Sequence, residues 1–375
     1  MRMADWLSYT DIEQLKSMNR YYGFDQETKH SKYELIRVLL QTIGNECFVH
    51  KNYDELEQDA KRFTQLIILD TSLSFTMEEL RAKASLAGSA KPQALIRDTI
   101  KRGWLFPGYT HQTQYLFHVP HDVRKHLLSR LATSYRQSPH ICKYTPAIYR
   151  DESHLLHVDF IQFLHFIKTE VVKTTHSGAI YKNQQKQLFA QFQIEEEVIT
   201  KRGPRFGFGR RYHEYPDRFS FIYDYAYYGG YIRENLDGSL GLTEAGNGKL
   251  HENEEENLKA MYRFWIRLYR KPIQQLPMVI RWIGLLGYPD WIEQESVWLA
   301  VKNWLTPYFY LNHEALFQKV IKMLLHLGVI KVGIEDEITY LTLTQSGQKW
   351  MQGVSAFRER EIEDHFIQQN LKQEK

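Results

Sequence analysis

Two stretches about a hundred residues apart spell nearly the same phrase, Leu240-Gly241-Leu242-Thr243-Glu244-Ala245-Gly246 and Leu341-Thr342-Leu343-Thr344-Gln345-Ser346-Gly347. Each follows a helix-like run ending in glycine, two apolar residues and a cation: Gly230-Tyr231-Ile232-Arg233 in one copy, Gly328-Val329-Ile330-Lys331 in the other. Leu-x-Leu alternates with the period of a strand that buries one face. The threonine after it offers a hydroxyl to cap a new helix in which glycine lies at the fourth position. In the first copy Asp237-Gly238 adds a strong hairpin signal. The repeated unit is therefore helix, hairpin, helix. A weaker third copy lies nearer the N-terminus, where Gly103-Trp104-Leu105-Phe106 enters a turn and Tyr115-Leu116-Phe117-His118-Val119 leaves it, meeting Pro120 in place of threonine.

Three such units in series predict a mainly α fold with small β-hairpin wings (α+β): tandem winged-helix modules behind an N-terminal helix pair. The order of elements resembles a helicase-associated family named after the N-terminal domain of the XPB helicases, whose bacterial members lack a motor. The pieces that carry the resemblance are a SAP-like helix pair (Leu15 to Ile43), the unit ending in Tyr115-Leu116-Phe117-His118-Val119-Pro120, the run Val171-Val172-Lys173-Thr174-Thr175-His176-Ser177-Gly178, and the Leu-x-Leu-Thr-x-x-Gly phrase. It spans roughly residues 10 to 250. It implies association with nucleic acid and supplies no catalytic residues. Ser31-Lys32-Tyr33-Glu34-Leu35-Ile36 is similar to the second helix of a SAP motif, which usually contacts DNA.

The expected organisation is a SAP-like helical pair at 1–50, a first winged-helix module at 51–134, a linker at 135–157, a second winged-helix-like module at 158–250, and a helical segment with a C-terminal winged-helix module at 251–375. The linker reading rests on Pro139, Pro146 and a lack of periodicity. Within the N-terminal pair Thr10 is the candidate N-cap. Thr76-Met77-Glu78-Glu79 reads as a capping box, and Lys91-Pro92 opens the helix that runs to Arg102. The tryptophans between Met261 and Trp304 read as core.

Net charge is only +3, with 48 Lys and Arg against 45 Asp and Glu. Nucleic-acid affinity must then come from local patches, which argues against a histone-like packaging role. Three patches stand out. On the helix after Pro92, Gln93, Arg97 and Lys101 form a stripe at spacings of four, opposite Leu95, Ile96 and Thr99; a helix-turn-helix protein lays its recognition helix there. A solvated face explains the same spacing. Between Lys201 and Arg218, the cations Lys201, Arg202, Arg205, Arg210, Arg211 and Arg218 are interleaved with Gly203, Gly207, Gly209, Phe206, Phe208, Tyr212 and Tyr215. Cations on a flexible backbone with exposed rings suit phosphates and bases; the competing reading is an ordered loop whose rings enter the core and whose arginines pair with Glu195-Glu196-Glu197. Lys319, Lys322 and His326 form a third stripe on the helix that Asn312 caps, where Ile321 and Leu325 point to burial nearly all round.

No phosphate-cradling Gly-x-x-x-x-Gly-Lys-Ser/Thr occurs, since Gly246-Asn247-Gly248-Lys249-Leu250 fails its spacing. His140, Cys142, His154 and His157 lack the paired spacing of a zinc site. No cofactor and no catalytic residue are expected. Two cysteines, Cys47 and Cys142, are too few for a disulfide framework; Met1 to Thr10 has no signal-like apolar run, and no stretch reaches the roughly 18 apolar residues of a membrane span. The expected protein is cytoplasmic, non-enzymatic and nucleic-acid-binding, with DNA ahead of RNA. The alternative is an interaction scaffold or adaptor for a separate helicase, nuclease or polymerase subunit, a role open to the same fold.

Overall fold

The computed structural model describes residues 1–24, 31–72, 74–137, 140–200, 207, 209–308 and 311–352, and it separates into two compact units, Met1–Gln137 and Ser138–Lys375. The division falls inside the stretch 135–157. The chain is mainly helical with small antiparallel sheets. No helix among the described residues is long and apolar enough to cross a membrane.

The first unit begins with four short helices, α1 (Met3–Tyr9), α2 (Ile12–Tyr21), α3 (Lys32–Ile43) and α4 (Glu46–Asp54). The cap of α2 is Asp11, which accepts from Gln14 N at 2.7 Å; Thr10 instead closes α1 by donating to the Trp6 carbonyl. Next come α5 (Gln58–Ile68), β1 (Phe75–Thr76), α6 (Met77–Leu86), α7 (Pro92–Lys101), β2 (Phe106–Pro107), β3 (Leu116–His118) and α8 (His121–Tyr135). Thr76 and Glu79 form the capping box of α6, and Pro92 sits in the first turn of α7. The hairpin's returning strand lies in the middle of the sheet, in the order β1-β3-β2. Pro107 is accordingly on an edge strand, where its missing N–H is harmless.

The second unit runs through β4 (Ile141–Cys142), β5 (Ile148–Arg150), α9 (Leu155–Thr169), α10 (Lys182–Phe189), α11 (Asp217–Tyr228), β6 (Ile232–Glu234), β7 (Leu240–Leu242), α12 (Glu244–Lys249) and α13 (Glu254–Tyr269). It ends with α14 (Leu276–Leu286), β8 (Trp291–Glu293), α15 (Gln294–Val301), α16 (His313–His326), β9 (Ile330–Glu335), β10 (Ile338–Leu343) and α17 (Gln345–Gln352). From α14 onward the succession of the first unit recurs: helix, strand, two helices, hairpin, helix, with β10 between β8 and β9. The stretch from α9 to α12 repeats it once more. There the incoming strand shrinks to a bridge, Lys173 to Ser239, with Leu240 N donating to the Val172 carbonyl at 2.9 Å.

Part of the expected linker is folded onto this unit. β4 adds to β8 and β5 adds to β9, so residues 140–150 bind both sides of the sheet, in the order β4-β8-β10-β9-β5. Between the two strands Pro146 lies over Gly333, and Cys142 joins Trp291 and Tyr340 in a small buried cluster.

The threonine and the final glycine of the repeated phrase have the same structural task in both copies. Thr243 Oγ1 accepts from Gly246 N at 3.0 Å and donates to the Gly230 carbonyl at 2.7 Å; Thr344 Oγ1 accepts from Gly347 N at 2.9 Å and donates to the Gly328 carbonyl at 2.7 Å. One hydroxyl thus satisfies an orphan amide of the outgoing helix and a carbonyl at the end of the incoming one. Gly230 and Gly328 have φ of +70° and +66°, a conformation suited to glycine at a helix C-terminus. A Cβ on Gly246 or Gly347 would overlap the carbonyl oxygen of Tyr231 or Val329. In the first unit, where Pro120 replaces threonine, α8 is tied to the chain start: His121 N donates to the Met1 carbonyl and the Asp122 carboxylate accepts from Met3 N at 2.9 Å.

The aromatic residues largely serve the core. Phe160, Phe163, Phe189, Tyr215, Phe219 and Tyr223 are buried in the second unit and pack ring against ring. Of the tryptophans between Met261 and Trp304, Trp265, Trp282, Trp291 and Trp304 are buried and Trp298 is half-buried. Thr344→Val keeps the side-chain shape but removes the double hydrogen bond, and we expect it to lower unfolding free energy by about 1–2 kcal/mol. Urea denaturation checks this; Gly347→Ala should cost at least as much.

Candidate nucleic-acid interface

The three helices that precede hairpins, α7, α11 and α16, differ in how much of their circumference is open. α7 buries Leu95, Ile96 and Thr99 and leaves Gln93 and Arg97 exposed and Lys101 half-buried, with Lys91 exposed at its N-cap. Among the described residues neither Arg97 nor Lys101 makes an ion pair. α11 is buried at every residue from Arg218 to Ala226. α16 buries Leu316, Phe317, Val320, Ile321 and the run from Met323 to His326. A helix can enter a groove only with a face that no neighbour covers: α11 has none, α16 keeps a strip of Glu314, Gln318 and Lys322 that sets an acid beside its one exposed cation, and α7 presents Arg97 and Lys101 with no carboxylate in the stripe.

The basic loop divides. Lys201, Arg202, Arg205 and the rings Phe206 and Phe208 lie outside the described residues. Arg210 and Arg211 turn inward, and their partner is Glu234 on β6, not the Glu195-Glu196-Glu197 run. Arg210 donates to both Glu234 oxygens, from Nε at 3.0 Å and Nη2 at 2.7 Å, and Arg211 Nη2 reaches the same carboxylate at 3.3 Å. Tyr223 donates to Glu234 as well, at 2.8 Å, and the Arg210 guanidinium lies 4.5 Å from the Tyr227 ring centre. Glycines permit this close approach: a Cβ on Gly209 in the loop would meet the Asp224 carboxylate, and one on Gly178, ahead of α10, the Arg211 guanidinium. Tyr215 is fully buried, with its hydroxyl accepting from Ile180 N. Arg218 pairs with Asp159 at 2.5 Å, both fully buried.

The charges of this cluster perturb one another. The hydrogen bonds to Glu234, ahead of its charge, raise the Arg210 pKa. Burial pushes the Glu234 carboxyl up, but the hydrogen bonds from Arg210 and Tyr223 and the two arginine charges outweigh it and hold the carboxyl below its usual range. Asp224 is different. Burial dominates there, and although Asp224 Oδ1 accepts from Arg210 N at 2.9 Å, its pKa is raised to about 7.

Lys319 is tied to Asp217 at 2.6 Å. Lys322 is exposed, and its charge acts on Glu196, whose carboxyl burial lifts to about 7. The hairpin of this module ends in Glu335-Asp336-Glu337, with φ of +47° and +65° at its two turn residues, Asp336 and Glu337. An acidic tip repels a phosphate backbone. The four residues weighed for zinc also part company: His140 bonds to Glu293, His154 to Glu254, His157 to Asn257, and the Cys142 thiol to the Tyr144 carbonyl at 3.1 Å.

One signal was readable in the sequence and lies elsewhere than the loop. From Arg81 to Arg136 the chain carries ten Lys and Arg residues, while Asp98 and Asp122 are its only carboxylates. Some of the ten are engaged: Lys83 pairs with Asp70 at 2.6 Å, Arg124 donates to the Asp70 carbonyl, and Arg130 pairs with Asp54 at 2.9 Å. Arg81, Lys91, Arg97 and Lys125 are exposed. The hairpin that follows α7 adds exposed Tyr109, His111 and Tyr115, the last 68% exposed. Searching by charge in a window of that length finds this unit; searching by motif finds the loop.

No protein-family model matches the chain, and no curated protein matches it.

Two outcomes follow from the cluster. Glu234→Gln leaves two arginines short of a countercharge and should destabilise the second unit by about 3 kcal/mol, whereas Arg97→Ala should stay within about 0.5 kcal/mol, both by chemical denaturation. Asp224, with a native pKa of about 7 against 3.8 for the free group, favours the folded state fully at low pH and loses that contribution as pH rises from about 4 to 7. Each pH unit in that window costs about 1.4 kcal/mol. Melting curves from pH 5 to 7 should therefore slope less steeply for Asp224→Asn than for the parent; identical slopes would disprove the protonated state.

Proposed function

We propose that the three modules are winged helices and that the chain is a non-enzymatic, cytoplasmic nucleic-acid-binding protein, DNA being favoured over RNA, that contacts its ligand through α7 and the β2–β3 hairpin of the first unit. The observation that carries this reading is the open face of α7, where Arg97 and Lys101 make no ion pair among the described residues and the stripe they form with Gln93 holds no carboxylate, whereas α11 is enclosed and the exposed strip of α16 includes Glu314. The thrice-repeated strand order, with the returning strand central, supports the winged-helix reading. An α-helix of this kind fits the major groove of B-form DNA, while the deep, narrow major groove of an RNA duplex does not admit it, which favours DNA.

The second unit fits the adaptor role. Its helix α11 is enclosed, the exposed strip of α16 carries Glu314, Gln318 and Lys322, Arg210, Arg211 and Lys319 are paired internally, and one of its hairpins has an acidic tip. A surface of that kind suits a basic face of another protein, such as a helicase or another nucleic-acid enzyme subunit, better than it suits phosphate.

Fluorescence anisotropy of the full chain on labelled duplex DNA across a salt series tests the reading. Log affinity should fall linearly with log salt, and Arg97→Glu with Lys101→Glu should weaken binding and reduce the slope by about 2. Lys322→Glu should change neither. Undiminished binding by the double charge reversal would refute the assignment of α7.

A further inference from the structure

We infer that the stacked tyrosines Tyr9 and Tyr109 are a platform for an unpaired nucleobase, so that the first unit takes nucleic acid where duplex meets single strand. This rests on the reading of α7 as a duplex contact and adds a second ligand feature to it. The two rings lie 4.2 Å apart at 14°, yet they remain 58% and 51% exposed. They are the outer end of a column of rings. Tyr109 meets Trp6 edge-on at 6.0 Å, and Trp6 stacks on His118 at 4.8 Å and on Phe106 at 6.1 Å. Trp6 and Phe106 are 6% and 1% exposed, so the column is rooted in the core. Covering Trp6 accounts for one edge of Tyr109 and leaves Tyr9 unexplained.

The support beneath the rings is rigid. Tyr109 sits in a hairpin turn pinned by Gly108 N to the Leu116 carbonyl at 2.8 Å and by the paired hydroxyls of Thr110 and Thr113 at 2.7 Å. Tyr9 ends α1, which Thr10 closes onto the Trp6 carbonyl at 2.9 Å. Rings fixed before binding lose little freedom when a base arrives. Cationic charge is present beside them: the exposed Lys32 ammonium donates to the Ser8 carbonyl at 2.8 Å, one residue from Tyr9. A π-face with an adjacent cation is what a base and its phosphate require, and stacking of this kind accepts any base. The chain passes from α7 through Gly103 and β2 directly to Tyr109, so one module bears both the cation stripe and the platform.

The test uses the full chain, a blunt DNA duplex, and the same duplex with a short 5′ or 3′ tail carrying 2-aminopurine at its first unpaired position. A tail should tighten binding about tenfold, the gain from stacking one base, and should alter the 2-aminopurine emission. Tyr9→Ala with Tyr109→Ala should abolish the emission change and the preference for the tailed duplex, so that tailed and blunt DNA bind alike; Tyr9→Phe with Tyr109→Phe should retain both effects. Equal affinity for tailed and blunt DNA, with unchanged emission, overturns the platform and leaves the α7 reading standing. A double alanine variant that keeps the tenfold preference for the tailed duplex, whatever its absolute affinity, also overturns it, because the gain then comes from elsewhere than the rings. Absence of any DNA binding at low salt, or capture of a protein by the tyrosine face alone, overturns both readings.

Discussion

Arg218 and Asp159 meet at 2.5 Å in the interior of the second unit, with 1% and 0% of their side chains exposed. Taking two charges out of water is tolerated only when they pair closely and further hydrogen bonds help satisfy them. Asp159 meets that condition by also accepting from Gln193 N at 2.6 Å and Ile194 N at 3.3 Å, and Arg218 N donates to Glu196. The pair joins α9 to α11 and draws the segment after α10 over both. α11 consequently has no outward face left. Lys319 on α16 reaches Asp217, the residue before Arg218, so the same locus links the last hairpin module to the middle one.

The two units thus apply one succession of elements in opposite ways. In the first, the helix before the hairpin is half in water and its cations Arg97 and Lys101 make no ion pair among the described residues; in the second, α11 has become an interior part, α16 keeps only a narrow outer strip, and Arg218 and Lys319 on them are matched with carboxylates. Net charge conceals this difference, because +3 sums a basic segment from Arg81 to Arg136, an acidic stretch before it and a second unit whose charges cancel. Topology alone would assign the same capability to each module. Burial distinguishes them.

Local features were the most legible in the sequence. The caps at Thr76, Thr243 and Asn312, the proline in the first turn of α7, the Leu-x-Leu strands and the glycines after α11 and α16 each depend on residues a few positions apart, and the structure has them. Pairings across long separations were not legible. Nothing near Arg210 in the sequence points to Glu234, because its nearest acidic run, Glu195 to Glu197, is not the partner. Residues 140–150 read as a linker for the same reason: two- and three-residue strands have no periodicity to detect, and their partners β8 and β9 lie well over a hundred residues downstream. For the candidate site, the α7 stripe was visible as spacing, but its openness was not, since a solvated helix and an enclosed one can share a pattern of four. Tyr9 and Tyr109 were invisible as a pair for want of any local relation between them.

The segment from Ile141 to Arg150 has a bearing on how the second unit behaves in a crowded solution. β9 and β10 are the longest strands among the described residues, six residues each and rich in Ile, Leu, Val and Thr. Such a hairpin with a bare edge is a template for strands of other molecules. Here one edge strand is two residues long and the other three, the latter ending in Arg150, and Pro146 crosses the face between them. An incoming chain finds too few free amides and carbonyls in register to extend the sheet. What reads as a spacer between two modules is thus a guard against fibrous self-assembly, placed ahead of the hairpin it protects in the order of synthesis.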